Sequence, residues 1–323
     1  MAAITLQKHS SRFPPNLRLL DMRRDLRAVA DLVELCFAKT LDADGRRYIQ
    51  QMRSAAGNPG TMAMVDRISA GLHGFVWEEE GRIVGNLSLL PVIAEGKRSY
   101  FLANVAVHPD YRNQGIAHTL TEASLGYIRK KGISSVWLQV NEENPSAIQL
   151  YMDFGFKERA RRTTWHSSPQ APSVRLPGSI SIRLQRSEDW RKQRQWLDQV
   201  YPKQLRWHLS IHTGLLKPGL LGFFNRFISE KSIRQWSATR SENLIGTVSW
   251  QSSYAQADWL WLAAPPQHQE LAILSLLPHV QRSLPKRRML ALNYPADTAV
   301  SAFESVGFRS HQTLLWMHTV LGN

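Results

Sequence analysis

NVAVHPDYRNQGIAHTL, residues 104–120, is the stretch that decides the fold. It reads as a short apolar strand over Val105, Ala106 and Val107, a turn built on His108, Pro109 and Asp110, and then a helix whose mouth carries Arg112, Gln114, Gly115 and Ala117. Small residues there let a ligand approach bare backbone amides. The unpaired N–H groups of a first helical turn add a partial positive charge, so a pyrophosphate can be held without a dedicated lysine. The seat is not a P-loop, since no G-x-x-x-x-G-K-[ST] occurs, and it is not the G-x-G-x-x-G dinucleotide fingerprint.

Working outward, Leu17 to Met22 reads as a strand, and helical periodicity follows over 24–39 and 42–55. From His73 the period falls to two: HGFVWEEE (73–80), RIVGNLSLLPVIA (82–94) and SYFLANVAVHP (99–109) predict an antiparallel meander, with its first turn at 80–82. Beyond the seat come a helix at 115–131, a strand at 136–140, a helix at 144–154 and a strand at 156–166. Such mixed order predicts an α/β layer fold on a mixed, mostly antiparallel sheet flanked by helices.

Between His166 and Ile180 the chain loses periodicity and gains Pro, Ser and Gly, which marks a linker. The second half then repeats the first in weakened form. ENLIGTVSW (242–250) lies over GRIVGNLSL (81–89) with Gly246 on Gly85, and ADTAVSAFESVGF (296–308) lies over NPSAIQLYMDFGF (144–156). The expected organisation is a tail at 1–16, a first domain at 17–166, a linker at 167–179 and a second, degenerate domain at 180–323. A length of 323 residues suits two cores.

The chain carries a net charge of +14, with 22 Lys+Arg against 17 Asp+Glu in residues 1–166 and 18 against 9 in 167–323. A basic surface attracts nucleic acid, acidic protein and phosphorylated cofactors alike, and a merely solvated basic surface is the preferred reading over nucleic-acid binding. No apolar run reaches the roughly 20 residues a bilayer span needs, and the N-terminus lacks an apolar signal-peptide core, so a cytoplasmic protein with no membrane partner is expected. The single cysteine, Cys36, sits among apolar residues and is expected in the core. His208 and His212 have zinc-helix spacing, but residue 209 is Leu where a metalloprotease needs Glu, so no metal is expected.

With these residues in place, the first half resembles the GNAT superfamily of N-acetyltransferases. Its [RQ]-x-x-G-x-[GA] motif reads here as Arg112, Asn113, Gln114, Gly115, Ile116 and Ala117. A second block, N-x-x-A-x-x-L-Y-x-x-x-G-F, reads as Asn144, Ala147, Leu150, Tyr151, Gly155 and Phe156. The resemblance covers about 17–166 and is nearest to the protein N-terminal (ribosomal-protein) acetyltransferases. It implies acetyl-CoA as cosubstrate in a slot between splayed strands, with its pantetheine arm along the backbone of Val105 and Val107 and its diphosphate on amides from Asn113 to His118. It also implies Asn144 beside the cofactor or its loop, Tyr151 as the acid that protonates the departing thiolate, and an amine, from a protein or a small molecule, as acceptor. Where that subfamily often has a strand glutamate as base, this chain has Gln139, and a neutral amide cannot accept the proton at pH 7. Glu142 and Glu143 on the following loop and Glu78 to Glu80 at a hairpin end are the candidates to act as base through water, each weighed against a solvated loop charge. A non-catalytic acyl-CoA sensor is the alternative that Gln139 permits.

The second half lacks the same chemistry. Phe303 stands where Tyr151 would be and Ala296 where Asn144 would be, and the counterpart of the seat, AAPPQHQELAIL (263–274), has no glycine. A GNAT-like domain that has lost cofactor binding is expected there. Its eight tryptophans, against three in the first half, point to a large core or interface.

Overall fold

The computed structural model describes residues 14–38, 40–41, 43–56, 73–168, 179–209, 211, 213–218, 232–253, 257–284 and 288–322, with only the backbone described at 43 and 44. In the first half, β1 (Leu17–Leu19), α1 (Met22–Phe37) and α2 (Ala43–Ala56) precede the meander β2 (His73–Glu79), β3 (Arg82–Ala94) and β4 (Lys97–Val107). Then come α3 (Ile116–Lys130), β5 (Ser135–Asn141), α4 (Pro145–Asp153) and β6 (Lys157–Ser167). The second half runs β7 (Ile180–Leu184), α5 (Trp190–Val200), α6 (Lys203–Arg206), α7 (Thr213–Leu216), β8 (Ile233–Arg240), β9 (Asn243–Gln251), β10 (Ala257–Ala263), α8 (Gln269–Ser283), β11 (Met289–Pro295), α9 (Val300–Ser305) and β12 (Phe308–Val320).

All strands join one 12-stranded sheet in the order β1-β2-β3-β4-β5-β12-β6-β11-β10-β9-β8-β7. At the centre of that order strands of the two halves interleave. β12 lies antiparallel between β5 and β6, pairing Leu314 with Asn141 on one side and with Arg162 on the other. β6 in turn pairs with β11, so each half donates its last strand to the other's sheet. Arg162 shows how firmly. Its side chain is buried in the second half, where Nη1 donates to the Val200 carbonyl at 2.8 Å, Nη2 to the Asn293 carbonyl at 3.2 Å and Nε to the Asn293 side chain, with the Tyr201 ring 5.2 Å away. Burial pushes this guanidinium down to about 10, which still leaves it charged at neutral pH.

An internal repeat appears in side-chain detail that the sequence reading missed. On β1, Arg18 forks onto the buried Asp25 at 2.6 and 2.9 Å, and the Asp21 N–H donates to the same carboxylate at 2.8 Å. On β7, Arg183 forks onto the buried Asp189 at 2.6 and 2.8 Å, and the Arg186 N–H donates to it at 2.9 Å. Each fork staples the first strand of its half to the helical segment that follows. The close packing of helix on sheet is repeated too: a Cβ at Gly85 would stand 2.8 Å from Ile116 at the start of α3, and one at Gly246 would stand 2.6 Å from Ala272 on α8.

Side chains alternate across the sheet. On one face Leu102, Leu138, Val140, Leu315 and Met317 pack with Leu120, Leu125 and Ile128 of α3. On the other, Phe101, Trp137 and Trp316 pack toward the second half, where the Trp207 ring lies 5.7 Å from Phe101 and 6.2 Å from Trp137. α1 and α2 cover Val76, Ile83 and Ala106.

Candidate active site

The site begins where two neighbouring strands part. β4 and β5 run parallel and paired only from Ser99–Leu102 against Ser135–Leu138, yet β4 continues to Val107 and β5 to Asn141. Beyond the pairing, β4 bends at a bulge: its register against β3 shifts between Asn86 and Ser88, Asn104 takes a left-handed φ of 51°, and the Asn86 side chain holds the Asn104 carbonyl at 2.7 Å. The two strand ends therefore leave unpaired backbone edges facing each other across a slot.

A cavity of about 920 Å³ occupies this slot, lined among others by Ala103, Asn104, Val105, Arg112, Gln139, Asn141, Asn144 and Tyr151. Four of the sequence-predicted residues, Val105, Arg112, Asn144 and Tyr151, thus meet on one cavity. The other sequence-predicted residues, Ala106, Val107, Asn113, Gln114, Gly115, Ile116, Ala117 and His118, do not line it. Gly115 caps α3 with φ 77° and Asn113 has φ 62°, while Asn113, Gln114, Gly115 and His118 are exposed. The first intrahelical bond runs from the Thr119 N–H to the Gly115 carbonyl at 3.0 Å, which leaves the preceding amides without an intrahelical acceptor. No acidic residue stands in this first turn, whereas α8 has Glu270 there. Ala106 and Ile116 turn their side chains into the core, and the exposed His118 packs on Phe154 at 4.6 Å.

Several details go beyond the sequence reading. The Val107 carbonyl accepts from Arg112 Nε at 3.2 Å and from Cys36 Sγ at 3.3 Å. Cys36, expected in the core, is half-buried on the cavity wall, where burial raises its thiol above the ordinary range. Asn144 is the N-cap of α4, its Oδ1 accepting from the Ala147 N–H at 3.1 Å. Tyr151 is 5% exposed, and burial pushes its phenol well above the ordinary range, so the hydroxyl keeps its proton at any physiological pH.

Of the five candidate glutamates, Glu78 is held by Arg18 at 2.6 Å and Arg24 at 2.9 Å, Glu79 accepts from Asn16 and from Trp77, and Glu80 sits in the hairpin turn at φ 49°. Glu142 is gripped by Arg161, which also binds Asp297 of the second half. Glu143 is the one acidic residue on the cavity lining among the described residues. The equivalent place in the second half is filled: Phe303 is fully buried and stacks on Trp165 at 4.8 Å. His208 stacks on Phe101 at 5.1 Å, while His212 lies outside the described residues. Among the described residues no cluster of potential metal ligands occurs, and no helix is long and apolar enough to cross a membrane.

Residues 32–156 match the family model of the acetyltransferase (GNAT) family. The [ribosomal protein bS18]-alanine N-acetyltransferase of Escherichia coli K12 is 38% identical over 65 residues, which is 20% of this chain and 44% of that protein. N-acetyltransferase family 8 member 2 of Rattus norvegicus is 29% identical over 128 residues, 38% of this chain and 54% of the relative. The chain thus spans about half the length of these relatives. In fold, 95% of it superimposes on 96% of a GCN5-related N-acetyltransferase from Sphaerobacter thermophilus with a TM-score of 0.59 at 15% identity. It also superimposes, over 95% of its length, on 99% of a tandem GNAT protein from the clavulanic acid biosynthesis pathway with a TM-score of 0.52 at 17% identity.

Proposed function

We propose, from the match of residues 32–156 to the model of the acetyltransferase (GNAT) family, that the chain is an acetyl-CoA-dependent N-acetyltransferase acting on a primary amine in a ternary complex. The observation that carries this reading is the convergence of Val105, Arg112, Asn144 and Tyr151 on the cavity at the parting of β4 and β5. The amides before Thr119 would hold the diphosphate and the backbone of β4 the pantetheine arm. The neutral amine attacks the thioester carbon, a C–N bond forms, and the C–S bond breaks as Tyr151 gives its proton to the departing thiolate. The proton lost by the amine goes to Glu143, directly or through water; the Gln139 amide cannot take it. Phe303 and Glu270 support a second half without a cofactor seat of its own.

Calorimetric titration with acetyl-CoA, followed by a thiol-release screen against amines and N-terminal peptides, tests the proposal. One site per chain with turnover is expected. Two sites would overturn the silent second half, and binding without turnover on any acceptor would favour an acyl-CoA-binding scaffold.

A further inference from the structure

The exchange of last strands has a chemical result at the cavity. Along β5, Trp137, Gln139 and Asn141 share one face of the sheet, and along β12, Gln312, Leu314 and Trp316 share the same face, because Leu314 pairs with Asn141 and Trp316 with Gln139. Trp137 and Trp316 identify that face as the one turned toward α6 and its following residues, opposite α3. Gln312 and Leu314 are half-buried and line the cavity beside Gln139, next to Phe37, Leu41, Tyr48 and Phe101. The Gln312 amide makes no hydrogen bond to the described residues. The loop that carries Glu143 is fastened from the same side, since the Glu142 N–H donates to the Thr313 carbonyl at 3.1 Å and the Glu142 carboxylate to Asp297 tie runs through Arg161.

We infer that the second half selects the acceptor: Gln312 and Leu314 form the floor of the acceptor chamber, and the acceptor is a primary amine bearing an apolar group, with a neighbouring amide or hydroxyl read by Gln312. This rests on the proposed acetyltransferase reading. A polyamine or other polycation is a poor fit, because desolvating several ammonium groups requires several carboxylates and Glu143 is the one described on the lining. Gln312 and Leu314 do not lie on the motif that seats the cofactor, so the two selections are separable.

The test uses the full chain with acetyl-CoA and two probe acceptors, leucinamide and spermidine, followed by thiol release. Leucinamide is expected to exceed spermidine at least tenfold in kcat/KM. Leu314→Glu is expected to raise the KM for leucinamide at least tenfold and to narrow or reverse that preference, and Gln312→Ala to raise it severalfold, both with the acetyl-CoA Kd within twofold of the parent. The unchanged Kd shows that the variants are folded, and Leu314→Met, with nearly the parent KM, controls for packing. Preference for spermidine, an unchanged leucinamide KM in Leu314→Glu, or leucinamide that is neither turned over nor bound by the CoA-loaded chain would each overturn the inference while tight acetyl-CoA binding leaves the cofactor site standing. Loss of acetyl-CoA binding in the parent chain would instead overturn the proposed function, and this inference with it.

Discussion

Replacing Gly115 by alanine separates the proposed cofactor seat from the fold. Gly115 sits at φ 77°, where an L-residue pays about 1 kcal/mol or slightly more, and a Cβ built there meets nothing within 4 Å. No clash arises inside the protein, so the loss of stability should be close to that backbone term, a fall of about 2 °C in Tm for a chain of this size. The added methyl enters the open space before the α3 N-terminus, where the diphosphate would rest, and the strain turns the adjoining amides. Loss of one charge-assisted hydrogen bond, about 1.5–3 kcal/mol, raises the acetyl-CoA Kd roughly ten- to a hundredfold. Gly81 supplies the control: it has φ 79° and the same open surroundings but lies in the β2–β3 turn, so Gly81→Ala should show the same Tm loss with an unchanged Kd. Calorimetric titration of both variants reads the difference. A Gly115→Ala protein that binds acetyl-CoA as tightly as the Gly81→Ala protein would refute the seat.

Tyr151→Phe should lower kcat by roughly ten- to a hundredfold and leave the acetyl-CoA Kd within about twofold, as stopped-flow thiol release and calorimetry would show; an unchanged rate removes Tyr151 from the acid role. Glu143→Gln should lower kcat/KM roughly tenfold or more with the acetyl-CoA Kd within about twofold, whereas an unchanged kcat/KM assigns the proton to water alone. For Asp25 and Asp189, burial raises each carboxyl, but Arg18 with the Asp21 N–H, and Arg183 with the Arg186 N–H, outweigh it and hold both below the usual carboxylate range. The stability they add is present above the unfolded carboxylate value of about 3.9 and is lost as pH falls through the lower folded value, so Tm should drop across that acid window and less steeply in Asp25→Asn. Arg162→Leu leaves the Val200 and Asn293 acceptors buried without a donor and should destabilise by about 2–4 kcal/mol, read as a shift in urea midpoint.

Periodicity carried the sequence reading a long way because the first half's strands and helices are amphipathic and bounded by turn residues: the 80–82 turn, the helix after Gly115 and the helix after Asn144 stand within a residue or two of where pattern places them. What pattern could not supply was partner choice. TTWH in β6 and TLLW in β12 are equally good strands, and nothing in either says that they will lie side by side; that depends on contacts across more than a hundred residues. The buried Arg162 left a faint trace, a charged residue in step with Thr164 and His166 that is easily taken for a solvent-facing row. Glu142 and Glu143 are adjacent and identical, and only the grip of Arg161 separates the structural one from the one at the cavity. The duplicated Arg–Asp forks were within reach, since LRLLDMRRD and IRLQRSED preserve the Arg and the Asp, but the flanking identity is too low to draw attention to them.

The donation of β12 to the first sheet also sets a schedule for the protein's birth. When residues through Ser168 have left the ribosome, every part of the family motif exists, yet the open edge of β5 has no neighbour and β6 awaits β11. About 150 further residues must emerge before β12 can close that edge, a delay of roughly 8–30 s at ordinary elongation rates. During it the chain carries an exposed strand edge of the kind that invites aggregation. A fragment ending at Ser168 should therefore be poorly soluble alone and be rescued by co-expression of residues 179–323, a complementation that a pair of self-contained beads on a string would never need.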